Sequence, residues 1–156
     1  MSDDVTLDTE ILEDERFTQF GVFVEGYART MRDIERSLRD NCDLSGPWFE
    51  VLLRLGRSPD HSLMMSELAE QTGVTSGAVT RLVDRMSDAG LVERQACETD
   101  RRVQWARLTP EGLNRLQAAA EVHLDDLDHH YFDRISEREL STVTKVMDRL
   151  RHPADS

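Results

Sequence analysis

Between Met65 and Leu108 the chain changes its hydrophobic period from helix to strand, and nothing else in it restricts the fold as much. "MSELAEQT" is a short helix with Leu68 and Ala69 turned inward, for which Ser66 serves as N-cap, running through Gln71. Gly73 supplies a tight turn, and Thr75 caps a second helix reaching to about Ala89. The inward face of that helix reads Val79, Leu82, Val83 and Met86. Gly90 stops it. Beyond Gly90 the period falls to two, and "LVERQ" and "VQWARLT" read as short strands joined by "ACETDRR". Two helices across a tight turn, followed at once by a β-hairpin, predict a winged helix–turn–helix.

The flanks are helical. From Phe17 an apolar stripe of Phe20, Val24, Tyr27, Met31, Ile34 and Leu38 marks one face of a long helix ending near Asn41. Pro47 stands at the first position of a helix through about Gly56, which "RSPDHS" breaks. Thr109 and Pro110 open another long helix with Leu113, Leu116, Ala120, Leu124, Leu127 and Tyr131 on one face. A last helix from about Glu137 carries Leu140, Val143, Met147 and Leu150. The expected fold is mainly α with a small β-hairpin wing, its winged helix–turn–helix flanked by N- and C-terminal dimerisation helices. Residues 1–16 form an acidic, frayed segment, 17–45 a dimerisation helix, 46–110 the DNA-binding region and 111–156 the C-terminal dimerisation helices. The flanking apolar faces exceed what so small a winged helix covers, so self-association is the economical way to keep them dry.

Chemistry concentrates in the middle of the chain. Thr75, Ser76, Gly77 and Thr80 are small or polar residues at the outward start of the second helix, and small residues let a helix approach base edges closely. The helix-start N–H groups of Ser76 and Gly77 suit a phosphate. Arg81 and Arg85 follow on the helix, then Arg94, Arg101, Arg102 and Arg107 around the hairpin. A formal charge of −12 argues against a polyanionic partner, but the charge is uneven. Residues 1–45 hold 12 acids against 5 bases and residues 111–156 hold 10 against 6, whereas residues 61–110 hold 7 against 6. Salt screens charges beyond roughly 8–10 Å, so attraction to phosphate is decided locally. Base reading is assigned to Ser76, Gly77, Thr80 and Arg81, and phosphate contact to Thr75, Arg85 and Arg94. Arg101 and Arg102 are placed in the minor groove.

From Phe17 to Arg151 the sequence resembles the MarR family of bacterial regulators. The resemblance is carried by "SELAEQTGVTSGAVTRLVDRMSDAGLVER" and by a wing pattern of Asp100, Arg102, Leu108, Thr109 and Gly112. It implies a homodimer with interleaved terminal helices, a recognition helix in the major groove and Arg102 in the minor groove, with Asp100 bracing Arg102 or the neighbouring wing backbone. It also implies a small, often aromatic and anionic, effector bound between the dimerisation helices and the winged helix. Tyr27, Met31, Trp48, Phe49 and Arg54 are the candidates to line that site, although Trp48 and Phe49 read equally well as core.

Other signals carry less. Cys42 and Cys97 in a chain without a basic, apolar leader point to a reducing cytoplasm and no disulfide framework. Cys97, close in sequence to Arg94, Arg101 and Arg102, is the candidate for redox sensing. His123, His129 and His130 with Asp125, Asp126 and Asp128 read as a solvated acidic face rather than a metal site. No apolar run is long enough for a membrane span, no catalytic constellation is present and no cofactor is called for. The sequence therefore predicts a non-enzymatic, homodimeric regulator of a pseudo-palindromic operator in double-stranded DNA, a repressor relieved by a small molecule. Alternatives are a protein-interaction module on the same scaffold, or a metal- or redox-responsive regulator.

Overall fold

The structure, a computed structural model, describes residues 9–97, 100 and 103–152. The elements run α1 (Thr9–Leu12), α2 (Glu15–Cys42), α3 (Gly46–Gly56), β1 (Ser62–Met64), α4 (Met65–Thr72), α5 (Ser76–Asp88), β2 (Val92–Ala96), β3 (Gln104–Leu108), α6 (Pro110–His130) and α7 (Glu137–Arg151). Short 3-10 turns at Pro59–His61 and Phe132–Arg134 complete the order. The expected mainly helical architecture with a hairpin wing is what the chain forms.

Local chemistry explains most boundaries. The side chain of Ser45 accepts from the Trp48 N–H, and Pro47 lies in the first turn of α3, where its missing N–H costs nothing. Thr75 accepts from Ala78 N–H at the start of α5, and Ser136 exchanges hydrogen bonds with Glu139 at the start of α7. Gly73 and Gly90 take positive φ, 68° and 74°, where a Cβ is strained. At α4 the boundary differs from expectation. Ser66 lies inside the helix, Met64 is the capping position, and Glu67 reaches back to the Met64 N–H at 3.0 Å.

β1 has no counterpart in the sequence reading, because three residues are too few to show an alternation. It is held by pairing: the sheet order is β1-β3-β2, all antiparallel, with Leu63 opposite Ala106 and Arg94 opposite Ala106 on the other side. Alternation then sorts the side chains. Val92, Arg94, Ala106 and Leu108 share the face turned toward the helices, while Glu93, Gln95, Trp105 and Arg107 share the other.

The core lies between that inner face and helices α2 to α6. Leu38, Leu44, Leu52, Leu55, Leu68, Val79, Val83, Met86 and Val92 are fully enclosed. The junction of wing and α6 is unusually tight. Thr109 N–H donates to Leu91 O at 3.1 Å, the Thr109 hydroxyl donates to Gly90 O at 2.7 Å, and Gly112 N–H donates to that hydroxyl at 2.9 Å. A Cβ on Gly112 would stand 2.0 Å from Leu91 O. The Leu-Thr-x-x-Gly pattern at Leu108–Gly112 is thus a structural joint, in which only glycine lets the helix lie against the backbone of Leu91.

The outer helices are left largely uncovered. In α2 only Ile34 and Leu38 are buried, and Phe17, Phe20, Phe23, Val24 and Tyr27 are exposed. α7 contains no buried residue. Two glycine variants separate the joint from the surface. Gly112→Ala should cost about 3 kcal/mol by forced displacement of backbone. Gly77→Ala, with nothing within 4 Å of its Cβ, should raise stability by roughly 0.5 kcal/mol. Thermal denaturation of both variants checks the pair.

Candidate nucleic-acid interface

α5 is amphipathic, and its two faces have separate tasks. Val79, Val83 and Met86 anchor it in the core. Thr75, Ser76, Gly77, Ala78 and Arg81 are exposed on the opposite side of its first turns. The Thr80 hydroxyl donates to Ser76 O at 2.8 Å, which spends its hydrogen on its own helix and leaves its lone pairs to accept from a partner. Gly77, Arg81 and Arg85 lie four residues apart and form one stripe. Among the described residues no carboxylate pairs with Arg81. A glycine-floored helix start with a free guanidinium one turn on is a shape and charge suited to a groove lined with acceptors.

The other cations are distributed differently from expectation. The Arg85 guanidinium lies 6.0 Å from the centre of the Trp48 ring, at the outer limit of a cation–π contact. Arg94 reaches from β2 to Asp84 of α5 at 2.5 Å and is an ion-paired residue rather than a free phosphate ligand. Arg107 stands on the opposite face of the sheet, opposite Glu93, and donates to Asp60 O at 3.3 Å. Asp100 is exposed, and its carbonyl accepts from Val103 N–H at 2.9 Å. Arg101 and Arg102, expected at the minor groove, lie outside the described residues.

The five residues expected to line an effector site do not meet in one place. Tyr27 and Met31 line an apolar groove of about 430 Å³ between α2, α6 and α7, with Phe23, Leu127, Tyr131 and Met147. Trp48 belongs to a second cleft of about 390 Å³ with Asp43, Leu44, Arg85, Leu91 and Arg115. Phe49, one step of about 100° around α3 from Trp48, points into the core and is 4% exposed. Arg54 is tied to Glu50 at 2.7 Å. Sequence reasoning missed Arg115, which donates to Cys42 O at 3.0 Å and joins α6 to the end of α2. It missed Asp84 as well, because no local rule links a helix residue to a strand ten positions later.

The histidine-rich end of α6 is not wholly a solvated face. His123 is half-buried, its ring 4.6 Å from that of Phe49, and its Nδ1 and the nearby Asp126 Oδ2 are buried without hydrogen-bond partners among the described residues. Among the described residues no group of three histidines, cysteines or acids is placed to hold a metal. Cys97 is half-buried and lines an open cleft at the wing base with Gln95, Trp105 and Arg107. Burial, reinforced by the Asp126 carboxylate and partly offset by Arg115, pushes the Cys42 thiol up and away from the reactive thiolate.

The sequence and shape have clear relatives. A model of the MarR family matches residues 43–103. In sequence and in fold the chain is similar to MarR family transcriptional regulators. It is 28% identical over 101 residues to the HTH-type transcriptional regulator MhqR of Bacillus subtilis, covering 65% of this chain and 66% of that protein, just under two thirds of its length. A Streptomyces coelicolor MarR family transcriptional regulator, solved in complex with DNA, superposes with a TM-score of 0.86 at 25% identity over 92% of each chain. AbsC, another MarR family regulator of Streptomyces coelicolor, gives 0.82 at 27% identity, over 88% of this chain and 95% of its own.

Burial holds the His123 pKa below the ordinary 6.5, against the opposing pull of Asp126 and then Glu50. The unfolded chain therefore takes up a proton at His123 before the folded one does. Its stabilising contribution is complete above pH 6.5 and fades as pH falls toward the depressed folded value. Melting temperatures measured from pH 7.5 to 5 should fall, and His123→Gln should flatten the part of the fall that begins near pH 6.5.

Proposed function

We propose that this protein is a homodimeric regulator of a pseudo-palindromic operator in double-stranded DNA, and that it represses transcription until a small molecule releases it. The observation that carries the DNA reading is the outward start of α5, where Gly77 leaves room and Arg81 has no carboxylate partner among the described residues. In this reading Ser76, Gly77, Thr80 and Arg81 meet base edges in the major groove, and Thr75 and Arg85 meet phosphates. Arg101 and Arg102, with Asp100 as brace, enter the minor groove from the wing. The Streptomyces coelicolor relative solved with DNA supports the assignment, because it shares this fold over nearly the whole chain.

Dimerisation is supported by the uncovered apolar side of α2 and α7 and by the groove that Phe23, Tyr27, Met31, Leu127 and Met147 form beside it. Residues 17–45 and 111–156 then serve as dimerisation helices around the DNA-binding region 46–110. A second copy would bring a second α5, about one helical turn of DNA away. For a small aromatic or anionic effector, the Trp48 cleft with Arg85 and Arg115 offers a flat ring and two guanidinium groups. Occupying it would act directly on α5, since Arg85 belongs to both. A cytoplasmic location accords with this role, and among the described residues no helix is long and apolar enough to cross a membrane.

Fluorescence anisotropy with labelled DNA from upstream of the protein's own gene, against scrambled DNA, tests the DNA reading. We expect preference for the upstream fragment, with log affinity falling linearly with log salt concentration. Arg81→Ala should weaken specific binding by about 1–3 kcal/mol and narrow that preference. Absence of binding even at low salt would overturn the reading and return the scaffold to a protein-interaction role.

A further inference from the structure

An ion pair between Asp84 and Arg94 links α5 to the wing strand β2, and its geometry follows from the sheet. Arg94 lies mid-strand, opposite Ala106, on the face turned toward the helices. Ala106 is fully buried, but Arg94 lies where that face passes the edge of the core, and its side chain is 32% exposed. Asp84 follows buried Val83 on the flank of α5, with its side chain 49% exposed. The guanidinium therefore reaches from strand to helix and ends on the carboxylate at 2.5 Å.

An acid on this helix is unexpected if charge alone matters. It stands one turn beyond Arg81, on the element proposed to enter the major groove, where a carboxylate repels phosphate. Arg94 is equally out of place as a phosphate ligand, because its charge is already matched. The two oddities share one explanation. We infer that Asp84 is a positioning residue for DNA recognition: by holding Arg94 it fixes β2, and the wing beyond it, against the recognition helix. This rests on the DNA-binding function proposed above. The pair sets the angle between the two elements that grip DNA, and it keeps Arg94 away from the backbone. Arg107, on the other face of the same sheet, takes no part.

Charge bookkeeping and positioning predict opposite signs for one substitution. Removing an acid beside DNA should tighten binding if only net charge matters. If Asp84 positions the wing, Asp84→Asn weakens binding, by about three- to tenfold for two pairs per dimer. Arg94→Gln weakens it by a similar factor at every salt concentration, so that plots of log affinity against log salt stay parallel to wild type. The double exchange Asp84→Arg with Arg94→Asp restores affinity to within about threefold, because the pair is remade with its ends reversed. A phosphate-contacting Arg94 would behave otherwise. Its loss would reduce the salt slope by about 0.9 per contact, roughly 1.8 per dimer, and the exchange would not rescue it.

Amide hydrogen exchange without DNA gives an independent readout. Exchange at Glu93–Ala96 should quicken in each single variant and return toward wild type in the double exchange. Tighter binding by Asp84→Asn, a lower salt slope in Arg94→Gln, or unchanged exchange in β2 would each overturn the inference. Should wild type itself bind no DNA, the proposed function fails, whereas the exchange pattern still reports whether the pair holds the wing to α5.

Discussion

The packing of α2 along α6 leaves one side of each helix uncovered among the described residues, and the rest of the molecule is arranged around that fact. Ile34 and Leu38 close the C-terminal half of α2 onto the body of the protein, with Arg115 binding the Cys42 carbonyl at its end. Toward the N-terminus the same stripe continues through Tyr27, Val24 and Phe20 into solvent. A contiguous apolar surface of this kind is unfavourable in water at about 25 cal/mol per Å². The proposed second copy would remove that cost and would fix a distance between two recognition helices. Dimerisation, in this account, is what turns one helix that fits a groove into a device that measures spacing.

The same division resolves the conflict between an acidic chain and a polyanionic partner. The acids crowd residues 1–45 and 111–156, which include the long flanking helices. The middle of the chain is nearly neutral, and its cations are sorted individually by the fold. Arg81 has no carboxylate partner among the described residues, Arg85 is shared with Trp48, Arg94 is matched by Asp84, and Arg107 is turned to the far face of the sheet. If the exposed start of α5 meets DNA as proposed, few free charges among the described residues there would limit non-specific attraction and leave discrimination to contacts that need the right bases.

Much of this was legible in the sequence because the signals were local. Thr75 and Thr109 each cap the helix they precede, and Gly73 and Gly90 occupy the positive-φ positions their turns demand. The change of period after Gly90 announced the hairpin within a residue or two of its observed strands. What escaped was long-range. β1 exists only because β3 pairs with it, and Met64 rather than Ser66 caps α4 because Glu67 turns back to it. The effector residues were chosen by type and neighbourhood, but adjacent Trp48 and Phe49 diverge around α3, one into a cleft and one into the core. The pairing of Arg94 with Asp84 needed the sheet register, which a single sequence does not display.

The measurement closest to the central claim is sedimentation equilibrium of the full chain over a range of concentrations. Two copies sharing the α2 and α7 faces predict a particle of twice the 17.9 kDa chain mass, persisting down to about 1 μM as an extensive apolar interface should. A 17.9 kDa monomer at concentrations near 100 μM would contradict it, since the exposed stripe would then be stable without a partner.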